Sequence, residues 1–161
     1  MAEPLPPGVS ADQMAETLEK FRRIVGKEWV FSGEQVASYH DPYPISNDDS
    51  RYKAHAAVAP TSLEQVQEIV KAASVSGVPL WPVSRGKNFA YGGAAPVLSG
   101  SVVLDLSRMN RILEVNEKFG YALGEPGVSY FDLYNHIQAK GLKLWLDVPD
   151  PGWGSVMIQR G

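Results

Sequence analysis

The chain has 161 residues, 44% of them apolar and 20% charged, a globular composition with room for one ordinary domain or for part of a larger one. Fifteen basic residues against 18 acidic ones leave a net charge of -3, so nothing draws a phosphate backbone and a nucleic-acid partner is not expected. The lack of any cysteine excludes disulfides, thiolate metal sites and a cysteine nucleophile within these residues.

The opening Met1-Ala2-Glu3-Pro4-Leu5-Pro6-Pro7-Gly8 has neither the basic flank nor the apolar run of a signal peptide. No stretch approaches the roughly 20 apolar residues that span a bilayer. A soluble protein without a membrane partner is expected, cytoplasmic by default. Residues 1–9 read as an extended arm stiffened by proline. Ser10 with Gln13 forms a capping box, and Met14, Leu18, Phe21 and Val25 follow at helical spacing up to Gly26. Ser32 with Gln35 repeats the signal ahead of a shorter helix ending near Tyr39. The prolines of His40-Asp41-Pro42-Tyr43-Pro44 forbid a helix there. A polar loop over 47–51 leads to a boundary at about residue 54, which divides an N-terminal helical segment, 1–53, from a second unit, 54–161.

From residue 54 the pattern alternates. Residues 56–59 predict a strand. Thr61 with Glu64 caps a helix whose stripe is Leu63, Val66, Ile69, Val70 and Ala73, and Gly77 closes it. Residues 78–84 predict a buried strand running into a glycine-rich loop, and 101–106 a second strand. Residues 112–115 and 121–123 predict two more around the turn Lys118-Phe119-Gly120. Ser129 with Asp132 opens a helix carrying Leu133, Tyr134 and Ile137 toward Gly141. Residues 142–146 predict a last strand, before a loop of proline and glycine over 147–154. The aromatic residues fall mostly at core spacing.

The segment densest in chemistry is Pro82-Val83-Ser84-Arg85-Gly86-Lys87-Asn88-Phe89-Ala90-Tyr91-Gly92-Gly93. A strand that ends in glycines exposes backbone N–H groups with no side chain in the way, which makes a nest for phosphate oxygens. Ser84 and Asn88 add side-chain donors, and Arg85 and Lys87 add positive charge. The same glycines also suit an ordinary strand-to-strand loop. Neither a Walker A loop nor a Rossmann fingerprint is present, because Trp81 stands where the first Walker glycine belongs and Asn88 follows Lys87. A second loop, Asp147-Val148-Pro149-Asp150-Pro151-Gly152-Trp153-Gly154-Ser155, holds Asp150 between two prolines. That rigid placement suits a positioned acid, base or charge stabiliser, and equally a turn residue bonded to its own backbone. His40, His55 and His136 lack metal spacing, so no metal site is expected; only His40, in its proline-bounded turn, hints at a role.

Taken together, the two loops resemble the vanillyl-alcohol oxidase and para-cresol methylhydroxylase flavoprotein family. The resemblance rests on Ser84-Arg85-Gly86-Lys87-Asn88, Tyr91-Gly92-Gly93-Ala94-Ala95-Pro96 and Ser99-Gly100-Ser101-Val102-Val103-Leu104-Asp105. It continues in order through Met109-Asn110-Arg111-Ile112-Leu113-Glu114-Val115, Glu125-Pro126-Gly127-Val128 and Leu144-Trp145-Leu146-Asp147-Val148-Pro149-Asp150. Leu5-Pro6-Pro7-Gly8-Val9-Ser10 and Asp41-Pro42-Tyr43-Pro44 look most like the bacterial eugenol oxidases of that family.

The resemblance implies an α+β fold: a small mixed sheet with flanking helices that forms the first half of the family's FAD-binding domain, with helices near 62–76 and 130–140 on its faces and the helix at 10–25 outside it. It implies FAD as cofactor and a small para-substituted phenol, of the eugenol or vanillyl-alcohol type, as substrate. In such enzymes the phenolate gives up hydride to flavin N5 and becomes a quinone methide. The loop Ser84, Arg85, Gly86, Lys87 and Asn88 would wrap the FAD pyrophosphate, and Pro82, Val83, Phe89 and Gly92 would also bind the cofactor. Tyr91 would hold the phenolate oxygen, and Asp150 would sit beside flavin N5. Pro149 would pack near the flavin edge, Gly154 and Ser155 would also bind the cofactor, and His40 matches a histidine that assists covalent flavin attachment. Full-length relatives are oligomeric and carry a substrate domain after the FAD domain, so this chain would be the N-terminal portion, with little turnover alone. The alternatives are a non-catalytic FAD-binding or interaction fragment that needs a partner chain or the missing domain, and a marginally folded truncation product.

Overall fold

The computed structural model describes residues 3–40, 52–86 and 94–147. The first helix, α1 (Ala11–Val25), begins at the expected capping box, where Ser10 and Gln13 bond each other's backbone, and ends at Gly26. A 3-10 turn, Lys27–Trp29, leads into β1 (Val30–Ser32), a strand that the sequence pattern did not indicate. The second capping box, at Ser32 and Gln35, is also present, but it opens a 3-10 helix, Gly33–Ser38, in place of an α-helix.

Then come β2 (Ala56–Val58), α2 (Leu63–Ser76), β3 (Leu80–Val83) and β4 (Val102–Asp105). They form a four-stranded sheet in the order β1-β2-β4-β3, in which β2, β4 and β3 are parallel and β1 runs antiparallel along β2. The two central strands are buried along their length, which explains why they read as unbroken apolar runs: a parallel sheet is covered on both faces. Pro82, which has no N–H to give a ladder, lies in β3 at the sheet edge.

Alternate residues divide the two faces. Ala56, Val58, Val102 and Leu104 join Met14, Phe21, Ile69 and Ala73 in the main core, so α1 and α2 cover one face together. The helix at 10–25 is therefore part of the main core and not an appendage outside it; Phe21 and Met14 are among its largest fully buried side chains. Ala57, Val83 and Val103 point the other way, into a second cluster with Ala54, Ala94, Phe31, Val36, Tyr39 and Trp81. Residues on both sides of position 54 contribute to each cluster. The arm at Glu3–Pro6 lies over Gly100, where an added Cβ would stand 2.3 Å from the Pro6 nitrogen, and His55 Nδ1 is 2.7 Å from the Pro4 carbonyl oxygen.

The rest forms a smaller unit. β5 (Ile112–Asn116) and β6 (Tyr121–Gly124) pair as the expected hairpin, with Gly120 at positive φ in its turn. Helix α3 (Tyr130–Ala139) starts at the expected capping box of Ser129 and Asp132 and packs Leu133 and Ile137 with Val128 against the hairpin.

Several expectations change. The cap of α2 is Ser62, whose hydroxyl accepts from the Gln65 N–H, and not Thr61 with Glu64. Leu63 and Val70 are exposed; of the expected stripe Ile69 and Ala73, with Val66, join the main core, as does Ala72. Tyr134 likewise turns outward. Residues 142–146 do alternate, with Leu142, Leu144 and Leu146 turned to α3 and the hairpin, yet they form no strand, since no ladder partner exists among the described residues. The fold remains α+β with a mixed sheet, but the strands of 54–147 fall into two sheets. Among the described residues the aromatic side chains are not mostly core: Tyr52, Phe119, Tyr121, Phe131, Tyr134 and Trp145 are all exposed.

Candidate cofactor site

In open sheets with parallel strands, ligands bind beyond the carboxyl ends of the strands, where the backbone leaves the ladder. A cleft of about 370 Å³ opens at that place here, lined by Ser38, Tyr39, Val83, Arg85, Gly86, Ala94, Asp105 and Ser107. It lies past the ends of β3 and β4, on the sheet face that α1 and α2 leave uncovered.

Five of the residues singled out in the first glycine-rich segment are described. Pro82 is exposed on the edge strand, while Val83 and Ser84 are buried as β3 ends. Arg85 turns back over the end of the sheet, and its Nη1 donates to the Gly127 carbonyl oxygen at 3.3 Å. Gly86 has φ +63°, and an added Cβ would come within 3.1 Å of the Ala94 methyl, so the two ends of the loop close on each other where a side chain has little room. The structure thus brings Val83, Arg85 and Gly86 to one cleft, with Ser84 between them. Lys87, Asn88, Phe89, Tyr91 and Gly92, like Pro149, Asp150, Gly154 and Ser155, lie outside the described residues. His40 is exposed just beyond the cleft wall. Its Nδ1 is 2.9 Å from the Ala37 carbonyl oxygen, an approach that needs the proton on Nδ1, and its own carbonyl accepts from the Ala94 N–H at 3.5 Å.

Two cleft residues escaped the sequence reading. Tyr39 donates its hydroxyl to Asp105 Oδ2 at 2.8 Å, and Asp105 Oδ1 accepts from the Ser107 N–H at 2.8 Å. Burial, together with the Asp105 charge and hydrogen bond, pushes Tyr39 far above the ordinary phenol range. The signal for Asp105 was a carboxylate ending an apolar run at a strand's carboxyl end. Tyr39 carried no comparable mark.

A further contact ties the cleft to the smaller unit. At Gly127 an added Cβ would stand 2.4 Å from the Ser107 carbonyl oxygen, and the Gly127 N–H donates to the Met109 carbonyl at 2.7 Å. Beside it Glu125 accepts from the Arg111 backbone N–H at 2.8 Å and from Arg111 Nη2 at 2.6 Å. The hydrogen bonds from Arg111 hold the Glu125 carboxyl below the usual carboxylate range. One guanidinium beside a glycine cradle whose loop ends meet at van der Waals distance fits an anionic, phosphate-bearing group. The Asp105 carboxylate, which accepts from two donors, lines the same cleft.

The sequence matches the FAD binding domain family over residues 54–157. It is 38% identical over 149 residues to the 4-cresol dehydrogenase [hydroxylating] flavoprotein subunit of Pseudomonas putida, a match covering 91% of this chain and 28% of that protein. It is 34% identical to the 1'-carboxy-chondrochloren decarboxylase of Chondromyces crocatus, covering 95% of this chain and 28% of the relative. Among solved structures, the 4-ethylphenol oxidase from Gulosibacter chungangensis, in complex with isoeugenol, superposes with a TM-score of 0.90 at 44% identity, covering 95% of this chain and 29% of that one. The chain therefore spans less than a third of the length of these relatives. Among its described residues no helix is long and apolar enough to cross a membrane. A cleft at the carboxyl ends of β3 and β4, a glycine loop closed at its base and a match running through both place the chain in the FAD binding domain family, among the flavoproteins of the vanillyl-alcohol oxidase and para-cresol methylhydroxylase type.

Proposed function

We propose that these residues form the FAD-holding part of an oxidoreductase that acts on small para-substituted phenols, with residues 54–161 as the FAD-binding unit and 1–53 as the segment packed against it. The observation that carries this reading is the cleft beyond β3 and β4, where Arg85 and the Gly86–Ala94 closure frame an opening fit for a phosphate-bearing group. FAD, when bound, supplies the hydride acceptor. The chain's own residues do the remaining work. Backbone N–H groups of 84–88 hold the pyrophosphate, and Arg85 adds charge without leaving its contact to Gly127. Tyr91 holds the phenol oxygen by hydrogen bonding. Asp150 would tune flavin reduction and serve as the base for water addition, and His40 would assist flavin attachment. Phenol oxidation draws support from the 4-cresol dehydrogenase and 4-ethylphenol oxidase likenesses, and the residue roles rest on the resemblance of the two loop motifs.

The visible spectrum of the purified chain tests the cofactor part. A flavin band at a near-equal molar ratio is expected, and an acid-precipitated pellet that keeps its colour identifies covalent flavin. A folded, colourless chain that also fails to take up added FAD overturns the assignment. One guanidinium and one loop do not enclose a phenol, so a purified chain of these residues is expected to produce little or no hydrogen peroxide from a para-alkylphenol. Steady peroxide production would show that the pocket needs nothing more than this chain.

A further inference from the structure

The Tyr39–Asp105 pair joins two segments 66 residues apart, and both partners line the same cleft. Asp105 is fixed twice: as the last residue of β4, held in the ladder opposite Val83, and through its acceptance from the Ser107 N–H. Tyr39 is the last residue before His40, and its ring packs against the cluster that contains Val83, Val103 and Ala94. The His40 carbonyl in turn accepts from the Ala94 N–H, and the Ala94 methyl abuts Gly86. A continuous path therefore runs from the rigid end of β4 through the Tyr39 hydroxyl and the His40 backbone to both ends of the glycine-rich loop.

We infer that Tyr39 and Asp105 are positioning residues for the cofactor site: their hydrogen bond latches residues 33–40 onto the end of β4 and so sets the spacing between Gly86 and Ala94 that the loop needs to receive FAD. This rests on the FAD reading given above. The pair does no chemistry. Its hydroxyl–carboxylate bond fixes the described ends of the loop, Gly86 and Ala94, in one geometry before a ligand arrives, and a preformed site loses less on binding.

The test uses the full 161-residue chain with Tyr39→Phe, which keeps the ring and removes only the hydroxyl, beside Tyr134→Phe as an exposed control on α3. Two readouts are taken: hydrogen exchange at the Ala94 and Val103 amides, and quenching of FAD fluorescence on titration. In Tyr39→Phe the Ala94 amide is expected to exchange about tenfold faster while Val103 stays protected, and FAD affinity to fall about tenfold, the scale of one lost hydrogen bond to a charged group. Tyr134→Phe is expected to change neither.

Unchanged Ala94 exchange in Tyr39→Phe overturns the latch. Faster Ala94 exchange with unchanged FAD affinity overturns its service to the cofactor. Loss of protection at Val103 as well means that the hydroxyl supports the sheet as a whole, which also overturns the assignment. If the unsubstituted chain does not quench FAD at all, the cofactor reading fails, and with it the claim of service to FAD; the Ala94 rate, which needs no ligand, then decides the latch on its own.

Discussion

The two sheets of this chain are built on opposite terms. In the four-stranded sheet, β2 and β4 are covered on one face by α1 and α2 and on the other by the cluster around Ala57, Val83 and Val103. The hairpin β5–β6 has one such covering: Ile112 and Val115 meet α3, while Leu113, Tyr121 and Leu123 stand exposed. Burial on both faces removes roughly twice the apolar area per strand from water, and the hydrophobic contribution scales with that area. The first region is therefore expected to hold the slowest-exchanging amides, and the hairpin unit to open at a lower free energy. The cofactor cleft lies at the end of the stable region, and the loop that closes it leans on the weaker one through Arg85 and Gly127.

The comparison breaks most directly at Phe21, which is fully buried between α1 and the sheet. Phe21→Ala is expected to cost about 3–5 kcal/mol and to abolish cooperative unfolding of the large sheet in a denaturant titration. Leu133→Ala on α3 is expected to cost about 2–3 kcal/mol and to loosen only the hairpin amides. Equal losses of protection in both regions for both variants would show a single cooperative unit.

Gly127→Ala tests the seam between the regions. Its Cβ would stand 2.4 Å from the Ser107 carbonyl oxygen and 2.7 Å from that of Leu106, both backbone atoms that cannot swing aside. The expected cost is about 1–3 kcal/mol. It should appear as faster exchange at Gly127 and Met109, with the sheet interior intact.

The smallest effect is that of pH on the hairpin unit. Glu125 has its carboxyl lowered by hydrogen bonds from Arg111, so its contribution is fully present above the ordinary glutamate value of about 4.3 and is lost as pH falls through the lower folded value. Exchange-detected stability of the hairpin is expected to decline below about pH 4.3 in the parent chain and to decline less in Glu125→Gln. An identical acid slope in the two proteins would remove Glu125 from the account. The effect is small because Arg111 is largely exposed and water screens the pair.

Most local signals are legible in the sequence, the cap of α2 and the helix type after Ser32 apart, and the non-local ones are not. The capping boxes at Ser10 and Ser129 and the hairpin turn at Gly120 are contained within four or five residues, and each stands where the pattern placed it. Strand β1 has three residues, and its existence depends on β2, more than 20 positions later, so nothing local marks it. Residues 142–146 show the converse: the alternation is real, but without a ladder partner alternation alone does not make a strand. Leu63 and Val70 lay within a plausible apolar stripe, and only the position of α1 decides which part of that stripe is covered. The site divides in the same way. The turn at Gly86 and the charge at Arg85 were legible in one loop. Tyr39 and Asp105, brought together from 66 positions apart, become a pair only once the sheet exists.

The order β1-β2-β4-β3 also sets a sequence of events. β3 precedes β4 in the chain, yet its only strand partner among the described residues is β4, which enters between it and β2. Before residues 102–105 arrive, β2 offers one ladder edge, β3 offers another, and nothing lies between them. A strand that must insert makes the sheet complete only late, because the loops that close it are long and their entropy is lost before any ladder bond is gained. On a ribosome, a nascent chain that has not yet presented residue 105 leaves the apolar segments 56–58 and 80–83 without the strand that joins them, a surface to which another nascent chain or a chaperone can bind.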